Sequence, residues 1–275
     1  MDKHQKQFRR FIDKLEKNLG PQGWWPRLVV DRNSSAVKHH PGPKARWLSR
    51  SMSDQAFEVA VGAILTQNTS WTNVEKALVC LAEKDLMTSA SLSKARLPSI
   101  EACVRSSGYY RQKAKKLKLF AKFVEEELEG DLFKVMPSRA KPRDLPIGGA
   151  LDSRSNSKIP RRSRSLSLED SVPRNDNLLN ARKLLLSLWG IGPETADTIL
   201  LYGLNRPIFV VDAYTRRLLV HLTGELSWHK CPYDDVRQFC EAASIYPSAK
   251  EFQESHALVV RWGKEVGRID KAPNK

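Results

Sequence analysis

The sequence predicts an all-α protein carrying a disordered insert, and three observations support this. Apolar residues recur at helical spacing through most of the chain. Only one short β-like run, 208–211, departs from that period, and a single run makes no sheet. The stretch 137–177 loses periodicity altogether: it is rich in Ser, Arg and Pro, and no aromatic residue lies between Phe133 and Trp189. Such a composition buries too little apolar surface to offset the entropy of ordering.

In chain order, the first clear helix is 56–66 (AFEVAVGAILT), where Phe57, Ala60, Val61, Ile64 and Leu65 fall on one face. The segments 74–81, 111–128, 180–188, 194–204, 236–243 and 252–263 follow the same period. Arg111, Lys113, Lys115, Lys116 and Lys118 make the third of these strongly basic, suited to tracking phosphates or to lying as a solvated face. Tyr109 and Tyr110 are expected to pack its start, and Trp71 reads as a core residue.

Charge narrows the partner class. Lys and Arg number 46 against 31 Asp and Glu, a net charge of +15. The insert holds nine basic and five acidic residues, so +11 remains on the helical body. A polyanion is the first partner to consider. Mean hydropathy is −0.47, and no stretch approaches the roughly 20 apolar residues of a bilayer span. The polar, basic start of the chain leads into no apolar region, so no signal peptide is visible and an intracellular location is expected. Cys80, Cys103, Cys231 and Cys240 form no CxxC pair; four reduced thiols and no metal site are the expectation.

The most informative segment is ARKLLLSLWGIGPETADTILLYGL, two amphipathic helices around a tight Gly190-Ile191-Gly192 turn. Glycines permit positive φ and close approach of a phosphate. Pro193 suits the first helical position, and the free N–H groups of the turn and helix start form an anion site. Ile191 can pack down between the helices. On its own the segment also reads as an ordinary αα-turn. It is followed by NRPIFVVDAYTRRLL, an extended run that ends at Asp212 and opens another helix. Asp is a favoured N-cap, accepting from Tyr214 or Thr215.

Hairpin, helix, extended run and capping Asp together resemble the helix-hairpin-helix DNA glycosylase superfamily, which includes endonuclease III. FEVAVGAILTQNTSWTNVEKAL (57–78), GYYRQKAKKLKLFAKFV (108–124) and FQESHALVVRWGKEVGR (252–268) are similar to further family segments in the family's order. The resemblance covers about 20–135 and 178–268. It implies a two-lobed helical fold with the active-site cleft between the lobes. The terminal domain would comprise 1–53 with 212–275, and the central domain 54–136 with 178–211. It further implies that Asp212 is catalytic and that Gly190, Ile191, Gly192 and Thr195 grip the DNA backbone. Gln67 and Asn68 would fill the gap left by a flipped base; their bland alternative is a helix-terminal turn.

Two departures point to a branch. Bifunctional members carry a lysine in the second hairpin helix, where this chain has Glu194. A carboxylate cannot form the imine through which lysine cuts a strand, although it also complements the helix dipole. The segment GKEVGRIDKAPNK contains no cysteine where endonuclease III begins its iron–sulfur ligands. Both features resemble the endonuclease-III-like 3-methyladenine DNA glycosylases. Trp24, Trp25 and Pro26 stand where that branch lines its base pocket, and a Trp face attracts a cationic alkylated purine; a core plug is the alternative.

The expectation is therefore a monofunctional glycosylase of base excision repair. It would act as a monomer on double-stranded DNA containing damaged bases, without a cluster, and with a monovalent cation at the hairpin as the one ion to consider. His256 and Lys264 fall on the last helix, with spacing that assigns neither a role. The rivals are a mismatch or oxidised-pyrimidine glycosylase of the same superfamily, a non-catalytic DNA-binding protein, and a basic RNA-associated protein.

Overall fold

Side-chain caps set the helix starts. The computed structural model describes residues 1–30, 37–40, 51–136 and 174–269. Asp2 opens α1 (Lys3–Leu19) through a reciprocal capping box with Gln5, and Ser51 opens α2 (Met52–Thr66) with Asp54. Between these helices lies one antiparallel pair, β1 (Arg27–Val30) and β2 (Val37–His40), with Arg27 opposite His40. This pair is an addition to the expected helical class. Strands of four residues are too short to show a readable alternation.

α2 lies at the centre, buried at every position from Ala56 to Leu65. Nine of these ten residues are apolar or glycine, as a helix enclosed on all sides requires, and Glu58 is the one charged residue among them. α3 (Trp71–Glu83) and α6 (Tyr110–Leu128) pack against α2, with α4 (Ser89–Lys94) on α6 and α5 (Leu97–Val104) on both α3 and α6. Phe57 stacks on Phe120 with ring centroids 5.8 Å apart, fixing α6 against α2. The sulfurs of Cys80 and Cys103 meet at 2.7 Å where α3 touches α5, and all four thiols are free.

The chain continues with α7 (Arg174–Leu186), the hairpin turn, and α8 (Pro193–Thr198), which passes into a π-helical turn, Ile199–Gly203, lying on α2. Then come α9 (Ala213–Thr223), α10 (Tyr233–Ala242) and α11 (Ala249–Ile269). α1 packs against all three of these, so the two ends of the chain are joined. One apolar core runs without a break from Phe8 and Ile12 to Leu258 and Val259.

Three expectations need correction. α1 goes unread in the sequence although Phe8, Phe11, Ile12, Leu15 and Leu19 have helical spacing, because charged residues surround them. The insert was bounded at 177, yet α7 begins at Arg174; the expectation of disorder for 137–173 lies outside the described residues. The basic face of α6 is also less free than its composition implies. Lys113 is buried, donating to the carbonyls of Leu65 (2.9 Å) and Ser107 (2.6 Å), and burial pushes its pKa down to about 8. Lys118 donates to the Ala95 carbonyl, which leaves Arg111 and Lys115 as the exposed cations of that group. Tyr110 packs under Arg105 and Arg111 as expected, whereas Tyr109 is 70% exposed.

Candidate active site

The run 208–211 leaves the π turn extended and buried, and joins no sheet among the described residues. It ends at Asp212, the N-cap of α9. Asp212 Oδ1 accepts from Thr215 N–H (2.7 Å) and from the Thr215 hydroxyl (3.0 Å), a complete capping box. Two donors spent on one oxygen leave Oδ2 facing Nε2 of His256, 3.7 Å away.

His256 comes from α11, held by a hydroxyl from the π turn. Its Nδ1 lies 2.8 Å from the Tyr202 hydroxyl, which donates to the Gln253 carbonyl at 3.1 Å. Nδ1 and the Tyr202 hydroxyl share one hydrogen bond, and Nε2, which makes none, faces Asp212. Desolvation pushes the Asp212 carboxyl upward, but His256 and the Thr215 bonds outweigh it and hold its pKa below the ordinary value. The result is an ionised carboxylate in a largely buried place.

Glu194, in the first turn of α8, titrates in the opposite direction. Desolvation and then the charge of Asp212 raise it to about 7, with His256 opposing. The residue is solvent-exposed, and water moderates both effects. The charge of Asp212 thus acts on Glu194, and the pKa values of the two carboxyl groups are driven apart.

The hairpin itself shows why the sequence reads G-I-G-P. Gly190 has φ +86°, and a Cβ there would come within 2.6–2.7 Å of the Lys116 side chain. Gly192 is extended at φ −94°, so the expected left-handed turn occurs at one glycine only. Ile191 is buried between the helices. Thr195 does not present its side chain to a partner: it is buried and accepts from Gln67 Nε2 at 3.0 Å. Gln67 also donates to the Gly190 carbonyl (3.0 Å) and accepts from Lys116 Nζ (2.6 Å), locking the end of α2 to the hairpin. Its neighbour Asn68 is exposed, in the left-handed region at φ +54°. The Gly190 carbonyl is thus occupied, and Lys116 lies along the turn. Those neighbours suit a cation poorly, and no chemistry is assigned to one.

Trp24 and Trp25 divide their roles. Trp25 is 8% exposed and fills the gap between Gly62, Trp71 and Tyr202, with ring centroids 5.1 Å from Trp71 and 5.2 Å from Tyr202. Pro26 is buried behind it. Trp24 is half-buried, and Lys264 Nζ lies 5.6 Å above its ring. The loop before them is fixed by Glu254 of α11, which accepts from Gln22 N–H (2.7 Å) and Gly23 N–H (3.2 Å). Tyr202 therefore touches both Trp25 and His256, which brings the aromatic wall and the carboxylates together.

Sequence reasoning left His256 and Lys264 without a role and passed over Tyr202. Their partners lie more than 50 residues away in the chain (Tyr202 to His256) or across the fold (Lys264 to Trp24). No local spacing announces such contacts.

Residues 61–243 match the HhH-GPD superfamily base excision DNA repair protein family. The chain is 30% identical over 249 residues to a Methanocaldococcus jannaschii protein that is a DNA repair glycosylase by name, spanning 90% of this chain and 83% of the relative. Its fold is similar to that of H. pylori 3-methyladenine DNA glycosylase bound to 1,N6-ethenoadenine, with TM-score 0.59 and 20% identity over 97% of this chain and 99% of the other. A non-covalent endonuclease III–DNA complex gives TM-score 0.59 at 17% identity, covering 96% and 87%. With the hairpin, the capping aspartate and this match across the middle of the chain in place, the protein belongs to the HhH-GPD superfamily of base excision DNA repair proteins.

Proposed function

We propose that this DNA glycosylase of base excision repair is monofunctional: it hydrolyses the N-glycosidic bond of an alkylated, 3-methyladenine-type purine in duplex DNA and leaves the strand uncut. The observation that carries the proposal is the carboxylate pair. Asp212, held ionised, is coupled to Glu194 at the position where bifunctional relatives place an amine.

The target nucleotide leaves the stack and enters the cleft. A cationic alkylpurine finds the face of Trp24, a ring that already receives the Lys264 ammonium. As the bond to C1′ breaks, positive charge grows on the sugar. Asp212 stabilises that charge and orients or deprotonates the attacking water. Glu194 offers no amine, so no imine forms with the sugar. The backbone donors of the Gly190–Gly192 turn grip phosphate without reading sequence. The exposed Asn68 closes the gap beside them, while Gln67, whose amide is already bonded to the hairpin and Lys116, holds the end of α2 in place. The reading includes no iron–sulfur cluster and takes the monomer as the acting unit.

The test is a reaction with methylated duplex DNA, with released bases identified by chromatography and borohydride added to a parallel sample. Free alkylpurine and no covalent protein–DNA adduct are expected. Release of uracil or thymine alone, or a trapped adduct, would contradict the proposal.

A further inference from the structure

Among the described residues no strand lies beside the extended run that carries Asp212, yet its backbone is not loose. Phe209 N–H donates to Glu241 Oε1 at 3.0 Å, and Val211 N–H donates to the Tyr233 hydroxyl at 3.1 Å. Both acceptors come from α10, eight residues apart on one face, in place of the sheet partner that the run lacks.

These acceptors are themselves fixed. The Tyr233 hydroxyl, which accepts from Val211, also interacts with the Asp197 carboxylate of α8, and each group shifts the titration of the other. Asp197 is fully buried and receives Arg182 of α7 through Nε (2.6 Å) and Nη2 (3.2 Å). On the other side, Arg237 joins Glu241 (2.8 Å) to Asp234 (3.1 Å), and Asp234 returns to Arg182 (2.9 Å). The polar chain therefore starts on both hairpin helices, crosses α10, and ends on the two amides before Asp212. Asp197, Arg182 and Arg237 are its buried members, and buried polar groups are costly unless satisfied and, when satisfied, fix one geometry.

We infer that Tyr233 and Glu241 are positioning residues, through which the hairpin helices set the placement of the Asp212 carboxylate. Neither is hydrogen-bonded to Asp212 itself; they act through the backbone amides of Val211 and Phe209. This inference rests on the glycosylase reading for its effect on rate, whereas the brace itself can be observed without any reaction.

The test uses the full chain and the variants Tyr233→Phe, Glu241→Ala and Glu241→Gln. Hydrogen–deuterium exchange across 208–212 reads the brace, and single-turnover base release from methylated duplex reads its effect. Tyr233→Phe keeps the ring beneath Arg182 and removes only the hydroxyl. It is expected to speed exchange at Val211 and slow base release at least tenfold, while affinity for an abasic-analogue duplex stays within about twofold. Glu241→Ala does the same through Phe209, and Glu241→Gln, which keeps an acceptor oxygen, recovers most of the rate. Unchanged exchange at Val211 would overturn the brace. Faster exchange with an unchanged rate would overturn the positioning role, as would rate and DNA affinity falling together. If the wild type released no base from any duplex, the glycosylase reading would fail, and exchange would still decide the brace.

Discussion

Glu194 and Asp212 differ by one methylene, and their surroundings give them opposite states. Asp212 has Thr215 and His256 to hold its charge; Glu194 is pushed the other way by desolvation and then by the charge of Asp212. As pH passes through about 7, Glu194 ionises and adds a second negative charge beside the developing cation. Base release from a cationic purine is expected to rise through that range, and Glu194→Gln to flatten the rise. A fall instead would mean that Glu194 protonates a neutral leaving base, which contradicts the alkylpurine assignment. The two tryptophans separate as clearly. Trp25→Ala opens the packed gap beside Gly62 and is expected to cost about 3–5 kcal/mol of stability in a thermal or denaturant melt. Trp24→Ala, at a half-buried ring, is expected to leave stability nearly unchanged and to weaken capture of the alkylated base, read as a raised KM.

At the level of elements, local features were legible and long-range ones were not. The hairpin, α9 and the Asp212 cap are written in neighbouring residues: a G-x-G-P turn, an apolar period, and an Asp three positions before Thr215. α1 has the right period hidden among charges. The β1–β2 pair is too short to be read. Lys113 was counted with the solvated cations although its spacing to Leu117, Phe120 and Val124 puts it on the buried face of α6. That spacing was the available signal, and composition obscured it. The junction of α9 and α11 depends on a contact that no pattern reveals: a Cβ on Gly263 would fall 2.1 Å from the Tyr214 ring. Gly263→Ala should therefore displace Tyr214, two residues beyond Asp212. The expected cost is about 1–3 kcal/mol in a melt, together with slower base release.

For the whole molecule, the net charge of +15 acts at two levels. The helical body keeps +11 without the insert, and it is this charge that is proposed to hold duplex DNA while the hairpin and one carboxylate do the specific work. Deleting 137–173 is expected to flatten the dependence of log K on log salt without abolishing base release, since that slope follows the number of phosphates neutralised. A titration of duplex affinity against salt checks this. The central claim is that a cap-held carboxylate supplies the charge stabilisation, and the most direct measurement is the single-turnover rate of free-base release from methylated duplex by wild type and Asp212→Asn. Asparagine keeps an oxygen that can accept from Thr215, so the helix start should survive, but it carries no charge. The account predicts a loss of about 10²–10³-fold, the scale of one removed electrostatic stabiliser, with duplex affinity retained. Base release by Asp212→Asn at the wild-type rate would contradict it.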